Sequence, residues 1–581
     1  MNTQSQRRTP DWVAASTGNA SIDKAFAISV DLVEETTRRF HEFDRVRGWL
    51  PVSGGIRGSG IKEPEATRDS AHAVQMAAYL WGGEEGIAST MESAMFLAFT
   101  DPKTGVVSHA CSPVESGLIA NEIGMHMRCA ADTYRYFGPA ENLDEALRRA
   151  LLTAEWVAAS FDPEGSGLLD ARGEQARSFH GAHLGEASHY PPNYDPKSKT
   201  VVSTMAFCVW LRRMTEAAQL YRRPEAEKFA EFLLRFSGAI DAGAWSDRGG
   251  YYRCQFDRIS DKWYFSMNGI NERSRETDLV PYYCAASPVE LERKRCVARY
   301  LDTALTRDRV FPMPIYYPPY SWYAPGHPNY NDHGSDRFVL GGAWDTPYFH
   351  CIQLLSGVGL IEPLELAVRK RAEAIVRDGD CTEWYYLDGT IDLRAGYHRD
   401  RYVACATAQI AATIEGLFGV TPAEPNFAVI NFAPALPLFR RHRHTAPLTE
   451  SDQRPRTLNI TLPGARRLDF SISYDETDEK IRVQTNKLDS RGRFRIPIDL
   501  AERVSQARWN NDPVDFSISR SMDRPFVMIE HALDGGELTI SLAAHPQKGK
   551  GTTPFIELKP DGGFLLEACG GSTPSPACGG T

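Results

Sequence analysis

Ser203-Thr-Met-Ala-Phe-Cys-Val-Trp-Leu-Arg-Arg-Met-Thr-Glu-Ala-Ala-Gln-Leu-Tyr221 and, just after it, Pro224-Glu-Ala-Glu-Lys-Phe-Ala-Glu-Phe-Leu-Leu-Arg-Phe236 set the fold class of this chain. In the first stretch Phe207, Trp210, Leu211, Met214, Ala217, Ala218 and Tyr221 fall at helical spacing and make one apolar stripe. The second opens on a proline, which suits a first helical position because its missing N–H would have no partner there. Phe229, Phe232, Leu233 and Phe236 then share one face. Working outward, the same spacing predicts helices at Met91–Phe99, Leu118–Tyr136, Leu143–Ser160, Val289–Leu305, Tyr348–Gly357, Pro363–Arg377 and Val403–Phe418. Gly419 stands where a glycine stops the last of these.

Between the helices lie long loops rich in Gly, Pro, Asn, Tyr and Asp, at Gly181–Thr200, Phe311–Asp336 and Cys381–Asp400. Loops of this length usually serve a site or are disordered, and their aromatic content argues against disorder. The pattern is one of helices holding up a rim of functional loops. After Pro422 the character changes. Leu458–Leu462, Leu468–Tyr474, Ile481–Thr485, Phe494–Ile498 and Leu538–Leu542 are short strand-like runs, several alternating apolar and polar, separated by turns rich in Asp, Gly and Asn. They predict an all-β module.

Composition bounds the function. A chain of 581 residues with 42% hydrophobic and 24% charged residues has material for a large core and more than one unit. Its net charge of −10 argues against a broad surface for nucleic acid or anionic membrane. Met1 to Asp11 carries no apolar signal region, and no apolar run reaches the roughly 18 residues of a membrane span. Eleven scattered cysteines without a CxxC pair fit free thiols in a cytoplasmic protein. The 23 Tyr and 11 Trp suit a big core, and equally suit stacking against the apolar face of sugar rings.

Several segments, in order, carry a resemblance. They are Asp162-Pro-Glu-Gly-Ser-Gly-Leu168, Gly185-Glu-Ala-Ser-His-Tyr190, Ala244-Trp-Ser-Asp-Arg-Gly-Gly-Tyr-Tyr252, Asp278-Leu-Val-Pro281, Phe338-Val-Leu-Gly-Gly-Ala-Trp344, Glu383-Trp-Tyr-Tyr-Leu-Asp-Gly389 and Ile414-Glu-Gly-Leu-Phe-Gly419. Together they resemble the (α/α)6-barrel glycoside hydrolases related to glycoside hydrolase family 63, whose relatives include trehalases and mannosylglycerate hydrolases. The resemblance implies a mainly α protein, an (α/α)6 barrel with a C-terminal all-β, sandwich-like domain. The expected organisation is a flexible segment at 1–20, a catalytic barrel at 21–422, a β-sandwich at 423–565 and a disordered tail at 566–581. It also implies hydrolysis with inversion and no organic cofactor. Two positions depart from the family pattern. Tyr190 stands where the family has its general-acid aspartate, and Leu340 stands where it has an arginine.

Glycoside hydrolysis needs two carboxyl groups, one to protonate the leaving oxygen and one to activate water or attack the sugar. Glu383 is the first candidate. It opens the aromatic run Trp384-Tyr385-Tyr386, a wall that excludes water and favours a carboxyl group poised near neutrality. The resemblance gives it the general-base role; the plainer reading is a surface glutamate before a packing cluster. Glu186 and Asp195 are the carboxylates of the loop where the family keeps its acid. Asp195 before Pro196 reads equally as a turn residue, and Glu186 as a ligand of a sugar hydroxyl. Glu272, Glu276 and Asp278 are reserves, with Asp278 read as the cap of a turn. Substrate-binding candidates are Arg68, Asp69, His189, Tyr190, Trp344, Trp384 and Tyr386. Asp69 reads also as a helix cap, and Trp344 as a core tryptophan at a helix entry.

Other features carry less chemistry. His180 and His183 lie near Glu186 but lack a third ligand at metal spacing, so no metal is expected. The basic run Arg440–His444 reads as a solvated patch. Gly54–Gly60 has no GK[ST], and the chain has no GxSxG elbow. The expected partner is therefore a carbohydrate, with no nucleic acid and no membrane; the oligomeric state is not encoded legibly. His189 and Tyr190 keep open a lyase or epimerase, which use such residues as acid and base. Loss of the acid leaves a non-catalytic glycan-binding protein as the third reading.

Overall fold

The computed structural model of the chain describes residues 13–43, 46–51, 76, 80, 100–105, 143–170, 199–258, 261–265, 273–318, 342–391, 401–436, 455–475, 478–498, 503–520, 522, 525–543, 556–558 and 564–566. Among these residues nine α-helices follow one another: α1 (Ala20–Thr36), α2 (Leu143–Phe161), α3 (Val201–Leu220), α4 (Glu225–Ala239), α5 (Leu279–Ala286), α6 (Leu291–Asp302), α7 (Asp345–Val358), α8 (Ile361–Asp378) and α9 (Val403–Ala411). The helices expected at Met91–Phe99 and Leu118–Tyr136 and the basic run 440–444 lie outside the described residues.

Burial sorts the helices into two kinds. α3 is buried continuously from Val201 to Leu211, α9 is buried throughout, and α5 and most of α7 are buried likewise. By contrast α4 buries only Phe229 and Phe236, and α6 and α8 bury a single stripe each. A helix apolar all round belongs inside; a striped one belongs against a core with water behind it. The packing agrees. α3 lies against α5, α5 against α7 and α7 against α9, while α4 backs α3, α6 backs α5 and α7, and α8 backs α7. Alternate helices along the chain thus form an inner layer and an outer one. α1 packs on α8 and α9.

Two helices were not legible as such. α1 is started by Asn19, whose Oδ1 accepts from the backbone N–H of Ser21 at 3.0 Å and Ile22 at 3.2 Å. α5 is only eight residues of nearly unbroken apolar sequence around Pro281, so it has no period to read. Val403–Phe418 keeps its expected span, but its second half, Ala412–Leu417, widens into a π turn. Gly419 ends it at φ +64°, where a Cβ would sit 2.1 Å from the Ala433 carbonyl.

A ten-stranded sheet is built from β1 (Ala14–Ser16), β2 (Val420–Pro422), β3 (Val429–Phe432), β4 (Arg456–Leu462), β5 (Arg466–Asp475), β6 (Lys480–Pro497), β7 (Val504–Trp509), β8 (Asp512–Pro513), β9 (Ser517–Arg520) and β10 (Pro525–Leu542). The main path runs β1-β4-β5-β6-β10-β7-β8. β6 joins two of the expected short strands into one, with an irregularity between Lys487 and Arg491. Its first half pairs with β5 and its second half with β3. Phe494, from the second half, still meets Trp509 of β7 at 5.8 Å between ring centroids, so the sheet folds over itself and closes two layers on an aromatic core. Phe432 stacks in the same core against Phe470 and Phe494.

Residues 1–12 of the segment expected to be flexible at 1–20 lie outside the described residues, and part of the remainder is ordered. Ala14–Ser16 is an edge strand, in antiparallel register with Thr457–Asn459 of β4. The β part is also tied to the helices. Arg495, inside the sheet, donates to the Ser356 carbonyl at the C-terminal end of α7 at 3.1 Å and lies over the Phe526 ring at 4.1 Å. The N–H of Met522 bonds the Val358 carbonyl beside it.

Candidate active site

The N-terminal ends of the inner helices are laced together by short backbone ladders. Arg275–Glu276, which leads into α5, pairs with Tyr316–Tyr317. Pro314 bridges Ala343, and the Trp344 N–H bonds the Met313 carbonyl at 3.0 Å. Ala343–Trp344, which leads into α7, pairs in turn with Trp384–Tyr385 from the loop that leads into α9. One continuous band of strand pairing therefore fixes the entry of three inner helices. Side chains aimed from it are held by backbone hydrogen bonds rather than by loop contacts alone.

Trp344 and Trp384 stand directly opposite each other in that band. Glu383 is the residue before Trp384 and is 4% exposed. Asp345, the residue after Trp344 and the first of α7, is 1% exposed. Tyr386 meets Trp384 edge-on at 5.1 Å and stays partly accessible. Trp344 and Trp384 are themselves buried in the core, at 9% and 4% exposure, and the burial of Glu383 next to them in the chain can hold an acid–base group away from bulk water.

The α5 entry carries a second acidic group. Glu276 accepts backbone N–H bonds from Asp278 at 2.9 Å and from Leu279 and Val280 at 2.8 Å, so it is the cap of α5. Asp278 does not cap the turn, contrary to the sequence reading. Its carboxylate faces His350 Nδ1 at 2.6 Å and accepts from Thr346 Oγ1 at 3.4 Å, both on α7. Tyr282 stacks on the same imidazole at 4.3 Å. Burial and the neighbouring Asp278 push Glu276 up to about 8, against the pull of its three N–H donors.

Behind the tryptophan pair lies Arg371 of α8, fully buried. Its guanidinium donates to the Ala343 carbonyl at 3.4 Å and to Cys405 Sγ at 3.2 Å, and sits over the rings of Tyr385 at 4.5 Å and Tyr348 at 5.5 Å. Despite the burial that opposes it, the Cys405 thiol is lowered to about 7 by the Cys381 thiol and by Arg371. The cation and this sulfur thus form the floor under the Glu383 segment.

The sequence candidates divide cleanly. Glu383, Trp344, Trp384 and Tyr386 are brought together on the rim. Arg68, Asp69, Glu186, His189, Tyr190 and Asp195 lie outside the described residues, as do His180, His183 and Glu272. Among the described residues no group of three or more His, Cys, Asp or Glu could hold a metal ion, and no helix is long and apolar enough to cross a membrane. The described cysteines are all free thiols. Asp345, His350 and Arg371 were missed in the sequence. Asp345 reads there as an ordinary helix-start acid, and His350 and Arg371 have no local pattern.

In fold the chain is similar to alpha-L-rhamnosidases. It superposes on the enzyme from Dictyoglumus thermophilum with a TM-score of 0.55 at 11% identity, covering 91% of this chain and 51% of that one. On the Streptomyces avermitilis alpha-L-rhamnosidase, solved with L-rhamnose, the TM-score is 0.54 at 11% identity, covering 91% of this chain and 42% of that one. The chain therefore spans about half the length of these rhamnosidases or less. The family 63 mannosylglycerate hydrolase of Thermus thermophilus, a relative named by the sequence resemblance, matches over 67% of this chain and 99% of its own at 14% identity, with a TM-score of 0.44. No protein-family model matches the chain, and no curated protein matches it in sequence.

Proposed function

We propose that the chain is a glycoside hydrolase that cleaves a small glycoside or oligosaccharide with inversion. The observation that carries this is the buried Glu383 beside the Trp344–Trp384 pair, on the rim made by the inner-helix N-termini. The rhamnosidase-like fold and the order of the sequence segments support it. In this reading the alternating inner and outer helices close into an (α/α)6 barrel over 21–422, and the β layers at 423–565 pack on it. Glu383 acts as general base on a water molecule. Glu186 or Asp195, from the sequence that precedes α3, protonates the leaving oxygen. Trp344 and Trp384 stack on the sugar, Tyr386 lines its edge, and Arg68, Asp69, His189 and Tyr190 hold its hydroxyls. The protein works in the cytoplasm and needs no cofactor.

A panel of aryl α- and β-glycosides, including the α-L-rhamnoside, tests the reading with wild type and Glu383→Gln. Turnover of one glycoside by wild type, lost in the variant, is expected. Equal turnover by both proteins removes Glu383 from the mechanism. An unsaturated product absorbing in the ultraviolet, in place of a reducing end, assigns the site to a lyase.

A further inference from the structure

Next to Glu383 in the fold, two thiols meet. Cys381 stands two residues before Glu383, and Cys405 stands in the first turn of α9. The Cys381 carbonyl accepts from the N–H of Tyr402, the residue that opens α9, at 2.9 Å, so the two stretches of chain are held together by the backbone. The Cys381 thiol is hydrogen-bonded to that of Cys405, and it also meets Ser29 Oγ of α1 at 3.7 Å. Cys405 Sγ accepts from Arg371 Nη2 at 3.2 Å. Both cysteines are fully buried. We propose that Cys381 and Cys405 form an oxidation site for hydrogen peroxide, which joins them in a reversible disulfide and disables the Glu383 site beside them.

Cys405 is the attacking thiol. A guanidinium within hydrogen-bond reach and a place in the first turn of a helix both favour its thiolate. Its proton affinity is lowered against the burial that opposes it, while that of Cys381 is raised by the bond to Cys405 and by burial. Cys208, Cys284 and Cys351 are buried as fully, and burial pushes each of them up. In the first step the Cys405 thiolate attacks a peroxide oxygen. The O–O bond breaks, the hydroxide leaves as water with the proton that Cys405 gave up, and Cys405 becomes a sulfenic acid. The Cys381 sulfur then attacks the Cys405 sulfur. The S–O bond breaks, and the hydroxyl leaves as a second water with the Cys381 proton. Two thiols have lost two electrons, and one peroxide has become two waters. Burial restricts the reagent: a small uncharged oxidant reaches the pair through local opening of the fold, and a bulky one does not. A disulfide holds its sulfurs roughly 2 Å apart, well inside hydrogen-bond distance, so the two stretches must draw together. α9 is packed in the inner layer, and the movement falls on the segment that carries Glu383. The disulfide is also uncharged, so the buried Arg371 loses the thiolate beside it.

The disulfide is tested on the wild-type protein without any substrate; its effect on turnover rests on the hydrolase reading. Native protein is treated with hydrogen peroxide, then denatured, alkylated and digested without reduction, and its peptides are read by mass spectrometry. Peptides linked through Cys381 and Cys405, and separated by dithiothreitol, are expected, with Cys208, Cys284 and Cys351 still alkylated. Cys381 and Cys405 both recovered alkylated, or oxidised without a link, overturn the proposal. In Cys381→Ala the reaction is expected to stop at the Cys405 sulfenic acid, which dimedone traps; a folded variant with no adduct there overturns Cys405 as the attacking thiol. In the activity arm treated wild type is compared with its own untreated sample on the best glycoside. A displacement of about 1 Å at Glu383 is expected to lower kcat on the order of 10²-fold, and dithiothreitol to restore it. A link formed with turnover unchanged overturns the connection to Glu383. Where no glycoside is turned over the hydrolase reading has failed by itself, and the linked peptide still decides the thiol pair.

Discussion

Replacing Glu383 by Gln is expected to lower kcat by roughly 10²–10⁴-fold with little change in Tm at neutral pH, read by steady-state kinetics and thermal unfolding. The loss falls on chemistry because the amide keeps the size of the carboxyl group and gives up its basicity. Glu276 supports a second expectation. Its proton affinity is raised in the folded protein from an ordinary 4.5 to about 8. The stabilisation is therefore complete below about 4.5 and is lost as pH rises through about 8. Tm of the wild type should fall across that window, and Glu276→Gln should flatten the slope; an unchanged slope would show that Glu276 does not carry it. Of these residues Glu383 was singled out in the sequence because it opens an aromatic run. Its burial at 4% exposure and the tryptophan pair beside it follow from a register with Ala343–Trp344, about forty residues upstream, which no local pattern contains. Glu276 and Asp278 were both noticed in the sequence as reserve carboxylates, with the cap given to Asp278 where Glu276 supplies it. Both precede a short helix, and only the fold shows that one carboxylate turns back to the N–H groups while the other reaches α7.

At the scale of elements, length counted as much as a polar face: α9 is buried throughout and was still read within Val403–Phe418, while the eight residues of α5 and the striped α1 were not read. The stripe of α4 is read directly from Phe229, Phe232, Leu233 and Phe236, whereas α5 is apolar on every side and has no period. The ladders that lace the rim were invisible for a different reason. Each is two residues long and is set by long-range pairing, so its Tyr and Trp residues, good strand formers as they are, span too little sequence to show an alternation. Gly419 was legible and is demanding. Its left-handed backbone and the Ala433 carbonyl leave no room for a side chain. Gly419→Ala should cost about 2 kcal/mol or more in denaturant unfolding, and a neutral result would mean that the chain relaxes there easily.

For the whole molecule the change from helical period to alternation near Pro422 located the β part, because the two periods differ wherever a chain buries one face. The sequence split β6 in two at its irregular middle, since residues between Lys487 and Arg491 alternate poorly. It also left β1 unread: three residues carry too little pattern to be a strand without β4 beside them. The two parts meet at Arg495, whose guanidinium closes the C-terminal end of α7, the helix whose other end carries Asp345. Arg495→Met should separate one unfolding transition into two in calorimetry, while a single unshifted transition would deny that contact a coupling role. In the proposed mechanism Glu383 delivers water to a sugar carbon. The anomer released in the first turnovers, followed by proton NMR on the best glycoside, tests it most directly. Inverted sugar formed by wild type and not by Glu383→Gln is predicted; sugar of retained configuration would contradict it.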